Sequence, residues 1–158
     1  MTFWLITGLI IAGGAVGIAL IWGPLRRLGR EIHLERAREL FALQRERLED
    51  VFLQAAAATG KPRGLIWKHC DFEPRIELAR ERRSGQLLAL VPVTIQFEAV
   101  PGSDMEGLPA VGNLRNASAV FYFQRGHWHT TGKAVFNMNP DEALAHFKGQ
   151  YERVTEDT

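Results

Sequence analysis

Apolar residues fall along this chain in three successive patterns, each with its own period. From Phe3 to Trp22 they make one uncharged run, FWLITGLIIAGGAVGIALIW. Coiled as a helix rising 1.5 Å per residue, such a run spans roughly 30 Å, the thickness of a bilayer's hydrocarbon core. Trp4 and Trp22 stand at its two ends, where amphipathic indole rings favour the headgroup layer. A cleaved secretory signal would want a basic start, a shorter apolar stretch and a small-residue cleavage motif. This chain instead begins MTFW, and the run gives way to Gly-Pro-Leu-Arg-Arg. Residues 1–23 therefore read as a transmembrane anchor.

Over residues 24–60 the period is helical. Pro24 suits the first turn of a helix. From Leu25 to Thr59 there is no proline, only Gly29, and many Glu, Arg, Leu and Ala, which are good helix formers. Gly60 and Pro62 are the stop signal. Leu34, Ala37, Phe41, Gln44, Leu48, Val51, Ala55 and Ala58 alternate steps of three and four, as a coiled-coil seam requires. Leu25, Leu28 and Ile32 belong to an earlier phase, so the register slips near His33. Gln44 and the alanines weaken the seam, while Leu40 and Phe52 widen the stripe as for a helix lying on a sheet. The expectation is a divided helix. Its membrane-proximal half pairs with a partner helix, and its distal half, from about Leu48, covers a domain.

After Gly64 the period becomes two. Leu65–Phe72 and Arg75–Glu81 read as strands joined around Glu73-Pro74, and Arg83-Ser84-Gly85-Gln86 is a turn. In Leu87–Val100 one face is apolar throughout, while the other passes from Leu88 and Leu90 to Thr94, Gln96 and Glu98. Such a strand is buried on one side along its length and increasingly wet on the other. Pro92 cannot donate to a ladder, which predicts an edge position or a bulge. A Gly/Pro loop, 101–113, precedes a hairpin of Ala117–Gln124 and His127–Asn137 around Arg125-Gly126. A tight turn there sets Phe123 opposite Trp128, Tyr122 opposite His129 and Gln124 opposite His127. Thr131-Gly132 should bend the last strand. Asn139-Pro140-Asp141-Glu142 is a helix start, and Ala143, Leu144, Phe147, Tyr151 and Val154 continue it as an apolar stripe.

The predicted class is α+β: a transmembrane helix, a long amphipathic helix, then over 61–158 a curved antiparallel sheet of about five strands and a C-terminal helix. In element order alone this outline resembles the cystatin-like and NTF2-like rolls. Those architectures serve as enzymes, ligand cups and assembly modules, so the likeness implies no function.

Charge changes the picture in one respect. The 19 Lys and Arg nearly balance the 18 Asp and Glu, so no overall field favours nucleic acid as a partner. No charged side chain precedes Arg26, however, and Arg26, Arg27 and Arg30 follow the apolar run directly. By the positive-inside rule the N-terminus lies outside and the domain is cytoplasmic. Within the run, Gly13 and Gly17 form a GxxxG pair, with Gly8 and Ala12 a second small-residue pair, which lets two helix backbones approach closely. Association is thus expected through Gly13, Gly17, Phe41 and Leu48, with the bilayer and either a second copy or another membrane protein as partners.

Candidate chemistry is sparse. The sequence has no phosphate loop, dinucleotide fingerprint, nucleophile elbow or paired CxxC, so no cofactor is implied. His127 and His129, two apart on a strand, would point the same way, but a zinc site needs at least three protein ligands and no spacing supplies the third from His69, Cys70 or His146. Cys70 is alone, which precludes an internal disulfide. It is expected to pack with Ile66 and Phe72. Asn116-Ala117-Ser118 matches a glycosylation sequon, silent in the cytoplasm. Two functional readings follow. The first is a non-enzymatic, single-pass membrane-anchored interaction or assembly module. The second is a small-molecule cup, enzymatic or not, between the long helix and the sheet, lined by Trp67, Tyr122, His127, Trp128 and His129.

Overall fold

The computed structural model describes residues 31–59 and 63–154 with their side chains, and for residues 2–30 the helical course of the backbone. The expected span Phe3–Trp22, with Gly13 and Gly17, lies outside the residues whose side chains are described. Among the described residues no helix is long and apolar enough to cross a membrane.

The first helix, α1, runs Thr2–Thr59. The chain divides into two compact units, 1–39 and 40–158. The first unit is helix over residues 2–39. The second holds the remainder of α1 and everything after it. Its strands are β1 (Leu65–Phe72), β2 (Glu77–Glu81), β3 (Leu87–Ala99), β4 (Arg115–Gln124), β5 (His127–His129), β6 (Ala134–Phe136) and β7 (Tyr151–Arg153), with α2 (Pro140–His146) between the last two. This is an α+β domain with a curved antiparallel sheet.

β3 is the spine of the sheet. Along one side it pairs with β4 from Leu87↔Phe123 to Ile95↔Arg115. Along the other it pairs with two strands laid end to end: β2 covers Leu87–Leu90 and β1 covers Val93–Ala99. Pro92 sits where those two partners meet. It is buried and central, not at an edge or a bulge as its missing N–H suggested. The Glu73 N–H donates to its carbonyl at 3.0 Å. Because N–H and C=O of one strand residue point the same way, the donor that proline lacks would face the β1–β2 junction, where no ladder partner is needed.

The outer side of β4 is likewise covered by two short strands, β5 and β6. Arg125 and Gly126 both take positive φ, 51° and 81°, the geometry of a type I′ hairpin turn. The register Phe123↔Trp128, Tyr122↔His129 and Gln124↔His127 is the one the sequence predicts. Strand His127–Asn137 is interrupted at 130–133. There the Thr130 hydroxyl donates to the Val120 carbonyl, and the Val120 N–H donates to the Lys133 carbonyl.

Chain alternation gives the sheet an inner face toward α1 and an outer face toward α2. On the inner face Phe41 of α1 packs edge-on against Phe121 and Trp128, each with ring centroids 5.2 Å away. About three turns further along α1, Phe52 meets Phe72 at 5.6 Å and Trp67 at 6.2 Å. In α1 the buried set within this unit is Phe41, Leu48, Phe52 and Ala56, a sheet-facing stripe rather than the expected Val51-Ala55-Ala58 continuation of a heptad. Domain packing also begins at Phe41, earlier than the Leu48 that spacing suggested.

The C-terminal helix is shorter than its apolar stripe predicted. Asn139 and Glu142 form a reciprocal capping box at its start, but it ends at His146. Gly149 lies in the turn after it, and Tyr151–Arg153 then pair with β2, whose edge would otherwise be open. Tyr151 therefore belongs to a strand, and Val154 follows that strand with its N–H donating to the Leu78 carbonyl at 3.0 Å, so neither is in the helix.

Asp141 ties these pieces together. It accepts hydrogen bonds from Arg153 of β7 and from Arg75 before β2, the latter at 2.6 Å. Those bonds, Arg153 first, hold its carboxyl below the usual carboxylate range. A carboxyl pKa depressed by folding contributes stability that is present above its unfolded value and lost as pH falls through the folded value. Asp141→Asn should therefore lower the urea midpoint at neutral pH, and the gap from wild type should close on acidification. A gap that persists at low pH contradicts this assignment.

Candidate functional site

The residues proposed to line a ligand cup do not converge. Trp67 pairs opposite Phe97 and Trp128 opposite Phe123, so both indoles lie on the inner face. There they are buried, in ring contact with Phe52 and Phe41 respectively. Tyr122, His127 and His129 lie on the outer face. Both histidines are exposed, and His129 stacks against Tyr122 at 5.6 Å. Within β5, alternation alone puts Trp128 on one face and His127 and His129 on the other. A cup between α1 and the sheet would have needed open space at the inner face, and Phe41, Phe52 and Phe121 occupy it.

The same packing answers where the expected association residues go. Phe41 and Leu48 are 2% and 5% exposed, so in the folded domain both are covered by the chain's own structure. Leu43, one of the residues α1 turns outward, is 82% exposed. Around it stand Glu46, Arg47 and Asp50, all exposed, a solvated pattern rather than a hydrophobic seam.

His127 and His129 share a face, as their spacing predicts. His69 sits on β1, at the far side of the sheet. Among the described residues no group of three or more His, Cys, Asp or Glu is placed to hold a metal ion. The sequon is divided by the fold: Asn116 is exposed, whereas Ser118 is fully buried and its hydroxyl donates to the Met138 carbonyl at 2.8 Å.

Cys70 shares the inner face with Phe72 but not with Ile66. The ladder shifts between Trp67 and His69, so the extra residue, Lys68, inverts the alternation upstream. Trp67 thereby joins the core and Ile66 is left 42% exposed. Burial pushes the Cys70 thiol from 9.0 up to about 11, which leaves it protonated and inert at neutral pH. Alkylation at pH 8 should be about 100-fold slower in the native protein than in urea, following the thiolate fraction. Equal rates contradict the burial.

No family model matches this chain, and neither a curated protein nor a solved structure does. Free volume lies on the outer face. A polar, open groove runs beside Arg115, Asn116, Asn137 and Asn139. An apolar crevice lies under α2, bordered by Leu90, Val120, Val135 and Ala143, with Lys133 and Tyr151 among its lining residues. Sequence reasoning passed over Lys133, because its only signal was a charge following a predicted bend. It also assigned Gly132 only to a bend. The glycine is buried with φ +75°, and a Cβ there would lie 2.3 Å from the Ala56 nitrogen of α1.

Proposed function

We propose that this protein is a single-pass membrane-anchored interaction module, with its α+β domain on the cytoplasmic side and no catalytic role. The observation that carries this reading is the packed inner face. Where an α+β roll used as a ligand cup or enzyme would hold its ligand, this domain places the rings of Phe41, Phe52, Phe121 and Trp128 in mutual contact. A domain built this way offers surfaces rather than a deep cavity, and the uncharged run Phe3–Trp22 supplies the tether.

Self-association is assigned to the span and not to the juxtamembrane stripe. Phe41 and Leu48 are committed to the domain's own core, which leaves the Gly13–Gly17 pair as the surface for a second copy or a membrane-protein partner. Crosslinking of the full chain in native membranes tests this. Wild-type protein should give dimers, or a heteromer with a membrane protein, and Gly13→Ile with Gly17→Ile should reduce the yield. A chain that stays monomeric at all concentrations, with no partner recovered, overturns the assembly reading. For sidedness, a reporter fused after Thr158 should be active in the cytoplasm; activity only outside it overturns the orientation.

A further inference from the structure

Among the described residues Phe41, Phe52, Phe121 and Trp128 fill the inner face, and the outer face has a crevice built to take a small ligand. Between the sheet and α2 is a crevice of about 40 Å³. The sheet supplies Leu90, Val120 and Val135, and α2 supplies Ala143. Leu90 and Ala143 are 2% and 1% exposed, so the walls are fixed by the core. A water needs roughly 10–15 Å³ of such space and two or more polar partners. The crevice has room for about three waters, but its lining is mostly apolar, with Lys133, Gln150 and Tyr151 as its polar members, so an apolar group is favoured against the Leu90, Val120 and Ala143 side.

The polar lining residues are Lys133, Gln150 and Tyr151. Lys133 is exposed, and its ammonium makes no ion pair with a carboxylate among the described residues. Burial pushes up the half-buried Tyr122 hydroxyl on the same face, where the Lys133 ammonium and the Glu81 carboxylate act in opposite senses. A fixed, mostly apolar slot that also has the Lys133 ammonium, Gln150 and Tyr151 in its lining matches a ligand with a short hydrocarbon end and a single negative charge. The slot's size limits that end to a few carbon atoms.

We propose that the crevice beneath α2 binds a short-chain aliphatic monocarboxylate, its hydrocarbon end against Leu90, Val120 and Ala143 and its carboxylate on the Lys133 ammonium. This site stands apart from the membrane-anchored reading and does not depend on it. Lys133 is the specificity-determining residue, because the apolar walls alone would accept an alcohol of the same chain.

Full-length protein in zwitterionic-lipid nanodiscs, labelled on alanine and valine methyls, tests the proposal by NMR titration, with empty nanodiscs as the partition control. Isovalerate should shift the Ala143, Val120 and Val135 methyls saturably. Lys133→Met, a change at an exposed position, should weaken that binding about tenfold, the scale of one charge-assisted hydrogen bond. Isoamyl alcohol should bind the wild type about as weakly as isovalerate binds the variant. Absence of saturable shifts overturns the site. Equal binding of acid and alcohol, or unchanged binding by Lys133→Met, overturns the assigned ligand class.

Discussion

Gly132→Ala is expected to destabilise the domain by about 3 kcal/mol or more, out of proportion to the single methyl group added. Two costs combine. The backbone at Gly132 has φ +75°, where an L residue with a Cβ is disfavoured by roughly 1–2 kcal/mol. In addition, the new Cβ would lie 2.3 Å from the Ala56 nitrogen and 2.6 Å from the Ala55 carbonyl carbon. Both are helix backbone atoms, which cannot rotate away as a side chain would. Relief requires α1 to lift from the segment between β5 and β6, and overpacking of a fixed core costs about 1–3 kcal/mol. Against a total stability of roughly 5–15 kcal/mol for a domain, this is a large fraction. Urea unfolding followed by tryptophan fluorescence should show a strongly reduced midpoint. A midpoint within error of wild type would mean that α1 does not press on this segment.

Phe52→Ala should cost about 3–5 kcal/mol, the usual range for deleting a buried ring. Phe52 is 0% exposed and touches three aromatic rings, Phe72, Trp67 and Phe121. Its removal leaves a cavity that α1 cannot collapse into without breaking the Phe41 contacts with Phe121 and Trp128. Phe52→Leu, which keeps most of the volume, should lose far less. If alanine and leucine at this position behave alike, the ring packing is not what holds the helix to the sheet.

Much of this fold was legible in the sequence because its strands obey strict alternation. Leu87–Ala99 could be read almost to the residue, and so could the hairpin register around Arg125-Gly126, since a two-residue turn fixes every cross-strand pair. The capping box at Asn139 and Glu142 is a local signal and was equally readable. What escaped depends on partners distant in the chain. Pro92 looks like an edge marker until β1 and β2 are seen to meet opposite it. Tyr151 and Val154 fit a helical stripe, and only the open edge of β2 explains why they leave it. Lys68 inverts the alternation of β1, a one-residue bulge that composition does not announce. The same limit applies to the site. A strand places Tyr122, His127 and His129 together by spacing, yet spacing alone could not tell that Trp67 and Trp128 lie on the opposite face beneath Phe41 and Phe52.

The membrane anchoring proposed for Phe3–Trp22 can be measured by washing membranes from cells that express the full chain with carbonate at alkaline pH. The polypeptide should remain in the pellet at full length and leave only with detergent. Release into the supernatant, or recovery as a product trimmed near Gly23, would contradict the account.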